Sequence, residues 1–550
     1  MDKVNTLNLE IFRLCQEFGE NIHAIPGFVD IFPATSIPNY LKHLFISISR
    51  NIPEASKAPY TFRSQKEEKG YRIVTEPRIL SYVLQCVSDE EVRKLAYIKG
   101  HSSPLTNVTV LDKIIAARHE LAQIMGHKSY ADFVAKQNMA SSASTVTTFL
   151  HNVSLAVKTK ADQEFRMIRS FKRRNSGQSH LDLEPWDEAF FAGIMKSKRY
   201  NLKFTEVASF FSLAHCLEGI NVIVKSLFGA IFRDAPIGPG ESWHPDVVKL
   251  VLYHPDEGEL GYLYLDLYSR DDKYPGCANF AIKGCRRISE TEYQLPVVSL
   301  VCNFAASGRS SVVCLNHWEL ETLFHEFGHA LHSLLSRTEF QHFSGTRVPL
   351  DFAETPSNLF EYFAWDHRVL RTFAKHNSSG EVISEEVVKS MRDARAMFAA
   401  TDLQRQVLYA MADQQVFGEQ ATQPRQTSDV LANLKREYSS WKHADGTHWQ
   451  VRFSHLLNYG AGYYSYLYAR CVASTVWTSL FEDDPLSAAA GHALRFKLLR
   501  HGGAKDPPDM LSDLVGNGAL LRSSHGGLLP DPTSLLRELQ ILQNFGDETP

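Results

Sequence analysis

Cysteine is sparse and scattered in this sequence: eight residues in 550, with no C-x-x-C pair and no tight cluster. That leaves no disulfide framework and suits the free thiols of a reducing compartment. Long apolar runs are missing too. The longest charge-free stretch, Gln137 to Val157, is rich in Ser, Thr and Asn and cannot span a membrane. Neither sign of charge dominates, at a net −4 with 22% charged residues, so nothing marks a nucleic-acid or anionic-membrane partner. One basic cluster, Arg166 to Arg174 (RMIRSFKRR), reads as a solvated helix end or loop. No repeat of solenoid period occurs. No secretory signal is visible, and Met1-Asp2-Lys3 brings acid where a transit peptide is Arg-rich and acid-poor. What is present is length, enough to build two lobes around a deep site.

One stretch carries chemistry. Asn316 to Arg337 reads NHWELETLFHEFGHALHSLLSR, with Leu320, Leu323, Phe324, Phe327, Leu331, Leu334 and Leu335 at helical spacing. Asn316 serves as N-cap, Glu319 stands at the capping-box position, and Leu315 with Leu320 can form the staple. On this helix His325 and His329 of His325-Glu326-Phe327-Gly328-His329 share a face and can reach one metal ion. Glu326 beside them can take a proton from a water on that metal. His332 is a poor third ligand, because seven residues of helix carry it about 10 Å along the axis from His325. After a loop at Ser344-Gly345-Thr346, Asp351 to Phe363 reads as a second helix. Glu354 there can complete a His2Glu site with one position open for water.

Around this helix the chain reads as mainly α. Asp2–Asn21, Ile37–Arg50, Glu76–Val87, Asp89–Lys99 and Leu111–Ile124 have helical apolar spacing, and a Gly C-cap is expected at Gly126. Helix continues through Ser144–Phe171, a loop follows at Arg174 to Ser179, and Pro185 opens another helix. In that Pro185-Trp186-Asp187 phrase the plain reading is a buried Trp with a helix-start acid. The clear sheet lies at 245–305. Val247–His254 and Gly261–Ser269 form a hairpin across Pro255 to Gly258, Ala278–Lys283 and Pro296–Ala305 add strands, and a loop at Ser307 to Arg309 leads to the motif helix. An exposed edge of that sheet can pair with an extended peptide. Ser384–Val407 and Thr427–Ser439 read as further helices. In Phe453 to Tyr466, two glycines precede Tyr463 and Tyr466, whose phenols can hydrogen-bond the oxyanion formed when water attacks a peptide carbonyl. Taken alone, such aromatics are more often core.

HEFGHALH followed by FSGTRVPLDFAETPSNLFEYF closely resembles the thimet oligopeptidase/neurolysin class of zinc peptidases. The spelling FQHFSGTRVPLDFAE is nearest to the mitochondrial intermediate peptidase branch. The resemblance covers roughly residues 90–540 and is strongest from Trp243 to Trp477. By matching position it implies one Zn2+ held by His325, His329 and Glu354, with Glu326 as catalytic base. It also implies that His455, Tyr463 and Tyr466 bind substrate and stabilise the transition state; Tyr459 is left open by a loop one residue shorter than in thimet-type members. Asn358 and Glu361 are candidates to orient the histidines.

The fold expected is two helical lobes around a deep substrate channel, with a small sheet beside the zinc helix. Residues 1–90 form a shortened N-terminal helical segment and 91–540 the catalytic domain, where relatives usually have a longer N-terminal part. The function expected is a monomeric zinc metalloendopeptidase acting on peptides or precursor proteins, removing an N-terminal octapeptide from imported precursors in the mitochondrial matrix. The alternatives are a general oligopeptidase, organellar or cytosolic, degrading short free peptides, and a truncated inactive protein that only binds them.

Overall fold

The structure, a computed structural model, describes residues 2–24, 27–53, 65–176, 182–200, 204–305, 312–419, 427–516, 521–522 and 527–542. It is mainly helical, and its residues form two compact units. The first takes Met1–Val134, Leu150–Arg199 and Phe398–Tyr463, and the second takes Ala135–Phe149, Tyr200–Met397 and Tyr464–Pro550.

In the first unit, helix Asp2–Ala24 packs Leu7 against Ala117 and Leu121 of helix Asn107–Ile124, as the apolar spacing of both predicts. Gly126 ends the latter region at φ +81°. Ile37–Arg50 is not a helix. Asn39–Leu44 is a 3-10 turn, and Ile46–Pro53 is a strand in a three-stranded antiparallel sheet with Gln65–Val74 and Phe28–Ile31. Ile37, Leu41 and Phe45 recur at helical spacing but are buried from the turn, whereas Ile46-Ser47-Ile48-Ser49 alternates as a strand does. Arg50 lies opposite Glu68, and Arg72 opposite Asp30, each pair 2.7 Å apart, so charge supports the register.

The basic cluster is not wholly solvated either. Lys172 is buried, 2.6 Å from Asp187 and 3.0 Å from Glu90, and Arg93 meets Asp187 from the other side at 2.7 Å. Asp187 is therefore a buried charge hub, while its neighbour Trp186 is only half-buried. Helix reaches Ser176; the rest of the expected loop there, and the Ser307–Arg309 loop, lie outside the described residues. The helix expected at Ser384–Val407 is two, Glu385–Ala396 and Ala399–Val416. Between them Phe398 has φ +69°, and the second helix starts on a distant carboxylate: Glu164 accepts from the backbone of Ala400 and Thr401 at 3.4 and 2.8 Å.

The second unit contains a five-stranded sheet in the order Ile231–Asp234, Val248–His254, Gly258–Tyr268, Val297–Phe304, Ala278–Lys283. The hairpin is antiparallel as expected, and Val297–Phe304 runs parallel to Gly258–Tyr268. Gly258–Tyr268 is buried along most of its length, as a central strand covered on both faces should be. Among the described residues Ala278–Lys283 pairs through one side alone and forms an edge. Helix His317–Leu335 packs its apolar face against this sheet, Phe327 meeting Phe232 edge-on at 5.7 Å.

Candidate metal centre

The motif helix begins with a reciprocal cap. Asn316 Oδ1 accepts from the Glu319 N–H at 3.0 Å, and Glu319 Oε2 accepts from the Asn316 N–H at 2.8 Å. One turn apart on this helix, His325 and His329 bring their rings to 5.0 Å. Gly328 stands between them for a steric reason: a Cβ there would lie 2.6 Å from Ser357 Cα. Only glycine lets the following segment come down onto the helix.

That segment is two short helices, Leu350–Ala353 and Thr355–Glu361, instead of the single one expected, and Glu354 occupies the joint. Pro356 in the first turn supplies no N–H and favours a fresh start there. Glu354 Oε2 lies 3.2 Å from His325 Nε2 and 3.1 Å from His329 Nε2. Among the described residues these three are the one His/Cys/Asp/Glu group whose ligand atoms converge, all within 4.8 Å of one another. Tetrahedral ligands at zinc bond lengths sit about 3.3 Å apart, so the donor set suits such an ion.

Other side chains hold the donors in place. Glu361 Oε1 lies 2.7 Å from His325 Nδ1 and accepts a hydrogen bond from it, leaving Nε2 to face Glu354. Of the two candidates for this task, Glu361 takes it; Asn358 is buried and donates its backbone N–H to the Glu354 carbonyl at 2.9 Å. Ser357 Oγ donates to Glu354 Oε2 at 3.0 Å. Burial disfavours charge on His325, but Glu354 and Glu361 outweigh it and push the imidazole up to about 10. The Glu354 carboxyl, though buried, is held well below the usual range by the two histidines.

Glu326 is buried at 7% exposure, and burial pushes its carboxyl up. The backbone N–H of Asn279, on the sheet's edge strand, hydrogen-bonds it, while Oε2 has no partner among the described residues. One oxygen is anchored and the other is free to handle a proton. His332 is not part of the cluster. It is fully buried against Phe352 with no partner on either ring nitrogen among the described residues, and burial pushes it down to about 3.

Asp351 is a residue that sequence reading passes over. It accepts from the backbone of Met139 and Ala140 at 2.9 and 3.0 Å and from Tyr464 Oη at 3.1 Å, and burial pushes it up to about 6. It fixes the start of the ligand-bearing segment. An acid set between Leu350 and Phe352 in an apolar run was the available signal.

The remaining expected residues divide between the units. His455 and Tyr463 lie together in the first, rings edge-on at 5.3 Å, with Tyr463 Oη donating to Gln406 Oε1 at 2.8 Å. Burial pushes His455 down. The loop between them is pinned by Asp413, which sequence reading missed: it accepts from the Ala461 and Tyr463 N–H groups at 2.8 and 2.9 Å. Tyr466 belongs to the second unit, half-buried on helix Tyr464–Leu480.

Known proteins similar to this chain include one whole family. Residues 83–521 match peptidase family M3. The chain is 58% identical over 542 residues to the mitochondrial intermediate peptidase of Arabidopsis thaliana, covering 98% of this chain and 76% of that one. With the Homo sapiens mitochondrial intermediate peptidase it shares 38% over 428 residues, which is 78% of this chain and 60% of the human protein, less than two thirds. Among solved structures, PZ peptidase A aligns at 16% identity and a TM-score of 0.47, over 79% of this chain and 66% of that one. The match to the family spans well over half of the chain, and on it the chain belongs to peptidase family M3.

Proposed function

We propose that this chain is a zinc metalloendopeptidase that removes a short N-terminal peptide from imported mitochondrial precursors, as the name of its 58%-identical relative suggests. The observation that carries this reading is the convergence of His325 Nε2, His329 Nε2 and Glu354 Oε2 beside the free oxygen of Glu326. His325, His329 and Glu354 would hold the ion. When bound, zinc supplies Lewis acidity, polarising the scissile carbonyl and lowering the pKa of water.

The chain's own residues do the rest. The anchored Glu326 takes the proton from the attacking water and hands it to the leaving amine, its raised pKa matching it to both tasks. The Ala278–Lys283 edge pairs with the main chain of an extended substrate and so needs no particular side chains. Tyr466, Tyr463 and His455 bind substrate and steady the oxyanion.

That edge, which reads backbone, favours a second reading: a general oligopeptidase of short free peptides. A panel of quenched peptides of graded length, with one precursor polypeptide and a Glu326→Gln control, separates the two. Release of an N-terminal octapeptide from the precursor is the expected result, and cleavage of short peptides alone would favour the oligopeptidase. Zinc retention without any cleavage would overturn both.

A further inference from the structure

The first unit holds a cavity of about 610 Å³, within the range that encloses small ligands or peptide side chains. Much of its wall is aromatic. Tyr97 meets Trp186 edge-on at 6.2 Å, and Tyr409 lies 5.0 Å from Trp449. The charges in the wall do not balance. Among the lining residues Lys196, Arg405 and Lys435 meet two carboxylates, Glu188 and Asp402, and the ion pairs of both go to Arg405: Glu188 pairs with it directly and Asp402 at 3.3 Å.

The two lysines are left with poor company among the described residues. Lys435 Nζ reaches Tyr97 Oη at 3.4 Å, and Lys196 Nζ stands 5.9 Å from the centre of the Phe398 ring. Burial pushes Lys435 down to about 8 against the pull of Glu188, and it pushes Lys196 down as well, against the pull of Asp402 and Glu164. His101, the remaining titratable base in the wall, is driven to about 4 by burial and adds no charge at neutral pH. An anion entering this space would gain charge-assisted bonds to two lysines that have no close ion pair among the described residues. The cavity also adjoins a residue assigned to substrate, since Tyr409 meets Tyr463 edge-on at 5.9 Å and Phe453 at 5.0 Å.

We propose that this cavity is a subsite for a carboxylate of the peptide substrate, seated against Lys435 in the field of Lys196, with neighbouring apolar groups against Trp186, Tyr409 and Trp449. Its ligand class rests on the peptidase reading above. A peptide can present a carboxylate from an acidic side chain or from a free C-terminus. Presequences are poor in acid, so a subsite that answers to the C-terminus would register short free peptides.

The test measures binding by calorimetry with zinc-loaded Glu326→Gln protein, which avoids turnover. Four peptides of equal length carry an acidic residue with an amidated end, a free C-terminus without acidic residues, both, or neither. Lys435→Gln should weaken the carboxylate-bearing peptides about tenfold, equal to about 1.4 kcal/mol. It should leave the neutral amide unchanged, and Lys435→Arg should restore affinity. The two single-carboxylate arms tell side chain from terminus. Lys196→Gln should act in the same direction and serves if Lys435→Gln does not fold, while Lys442→Gln, outside this cavity, is the control expected to do nothing. Equal losses on all four peptides, or none, overturn the subsite. Because no cleavage is needed, a chain without peptidase activity would still show the carboxylate dependence. An active peptidase lacking that dependence would sink this proposal alone.

Discussion

At the metal centre, 36 positions separate His325 from Glu361, the farthest member of the group that includes both histidines, Glu326 and Glu354. In the loop from Phe453 to Tyr463 the supports come from afar. Arg118 donates to the Leu456 and Leu457 carbonyls from 338 and 339 positions away, and Asp413 reaches Tyr463 from 50 away. The first region takes its ligands from one helix and the segment folded back on it, and remote groups act only at its borders, Asn279 on Glu326 and the Met139 and Ala140 N–H groups on Asp351. The second is a strained loop, with Ala461 at φ +61°, that buried charges from other elements hold in shape. Local construction puts the chemistry into a short motif, whereas remote construction hides it and spreads its dependence over the unit.

The contrast can be broken at its strongest point first. Glu326→Gln should cut kcat/KM by about a thousandfold with zinc content unchanged, read by peptide cleavage and metal analysis. Glu361→Ala removes the acceptor behind His325 and should weaken zinc binding about 10- to 100-fold, measured by competition with a chelator. Gly328→Ala forces its Cβ into the Ser357 backbone 2.6 Å away. It should cost about 1–3 kcal/mol of stability and lower zinc affinity by displacing Glu354, so denaturation and metal titration should move together.

In the loop the separation should be the reverse. Asp413→Asn offers one good acceptor to two N–H groups and should cost about 1–3 kcal/mol with zinc affinity untouched. The pH dependence has a defined sign. Burial raises Asp413 from 3.8 to about 7, only partly offset by its hydrogen bonds to the Tyr463 and Ala461 N–H groups. The native state therefore keeps a proton that the unfolded chain releases between those values. This contribution to stability is full below the lower value and is lost as pH rises through the upper one. Urea unfolding from pH 4 to 8 should show that slope in the parent and a flatter profile in Asp413→Asn.

Legibility in the sequence follows the same division. The capped motif helix, its histidines, Glu354 and Glu361 all lie in one short stretch, where helical spacing can be counted. The hairpin at Val248–His254 and Gly258–Tyr268 was readable because a turn joins its two strands. Glu164 capping a helix 236 positions on, Asp351 binding Met139, and Asp413 under the tyrosine loop leave no local mark. Ile37–Arg50 failed for another reason. Ile37, Leu41 and Phe45 satisfy a helical period, while the strand that follows needs a partner, Gln65–Val74, whose charged residues give a weak strand signal.

The edge strand Ala278–Lys283 has a consequence for how the protein behaves in solution. Apart from the Asn279 N–H, which Glu326 takes, the backbone groups on the outer side of this strand are as open to a strand of a second molecule as to the substrate proposed above, and Phe280 and Ile282 are exposed along it. Lys283 and, beyond it, Arg286 place positive charge at one end, the kind of charge that keeps sheet edges from joining. Replacing Lys283 and Arg286 with neutral residues should make light scattering rise with concentration, and saturating peptide should suppress that rise. Solubility and substrate access would then be two readings of one strand.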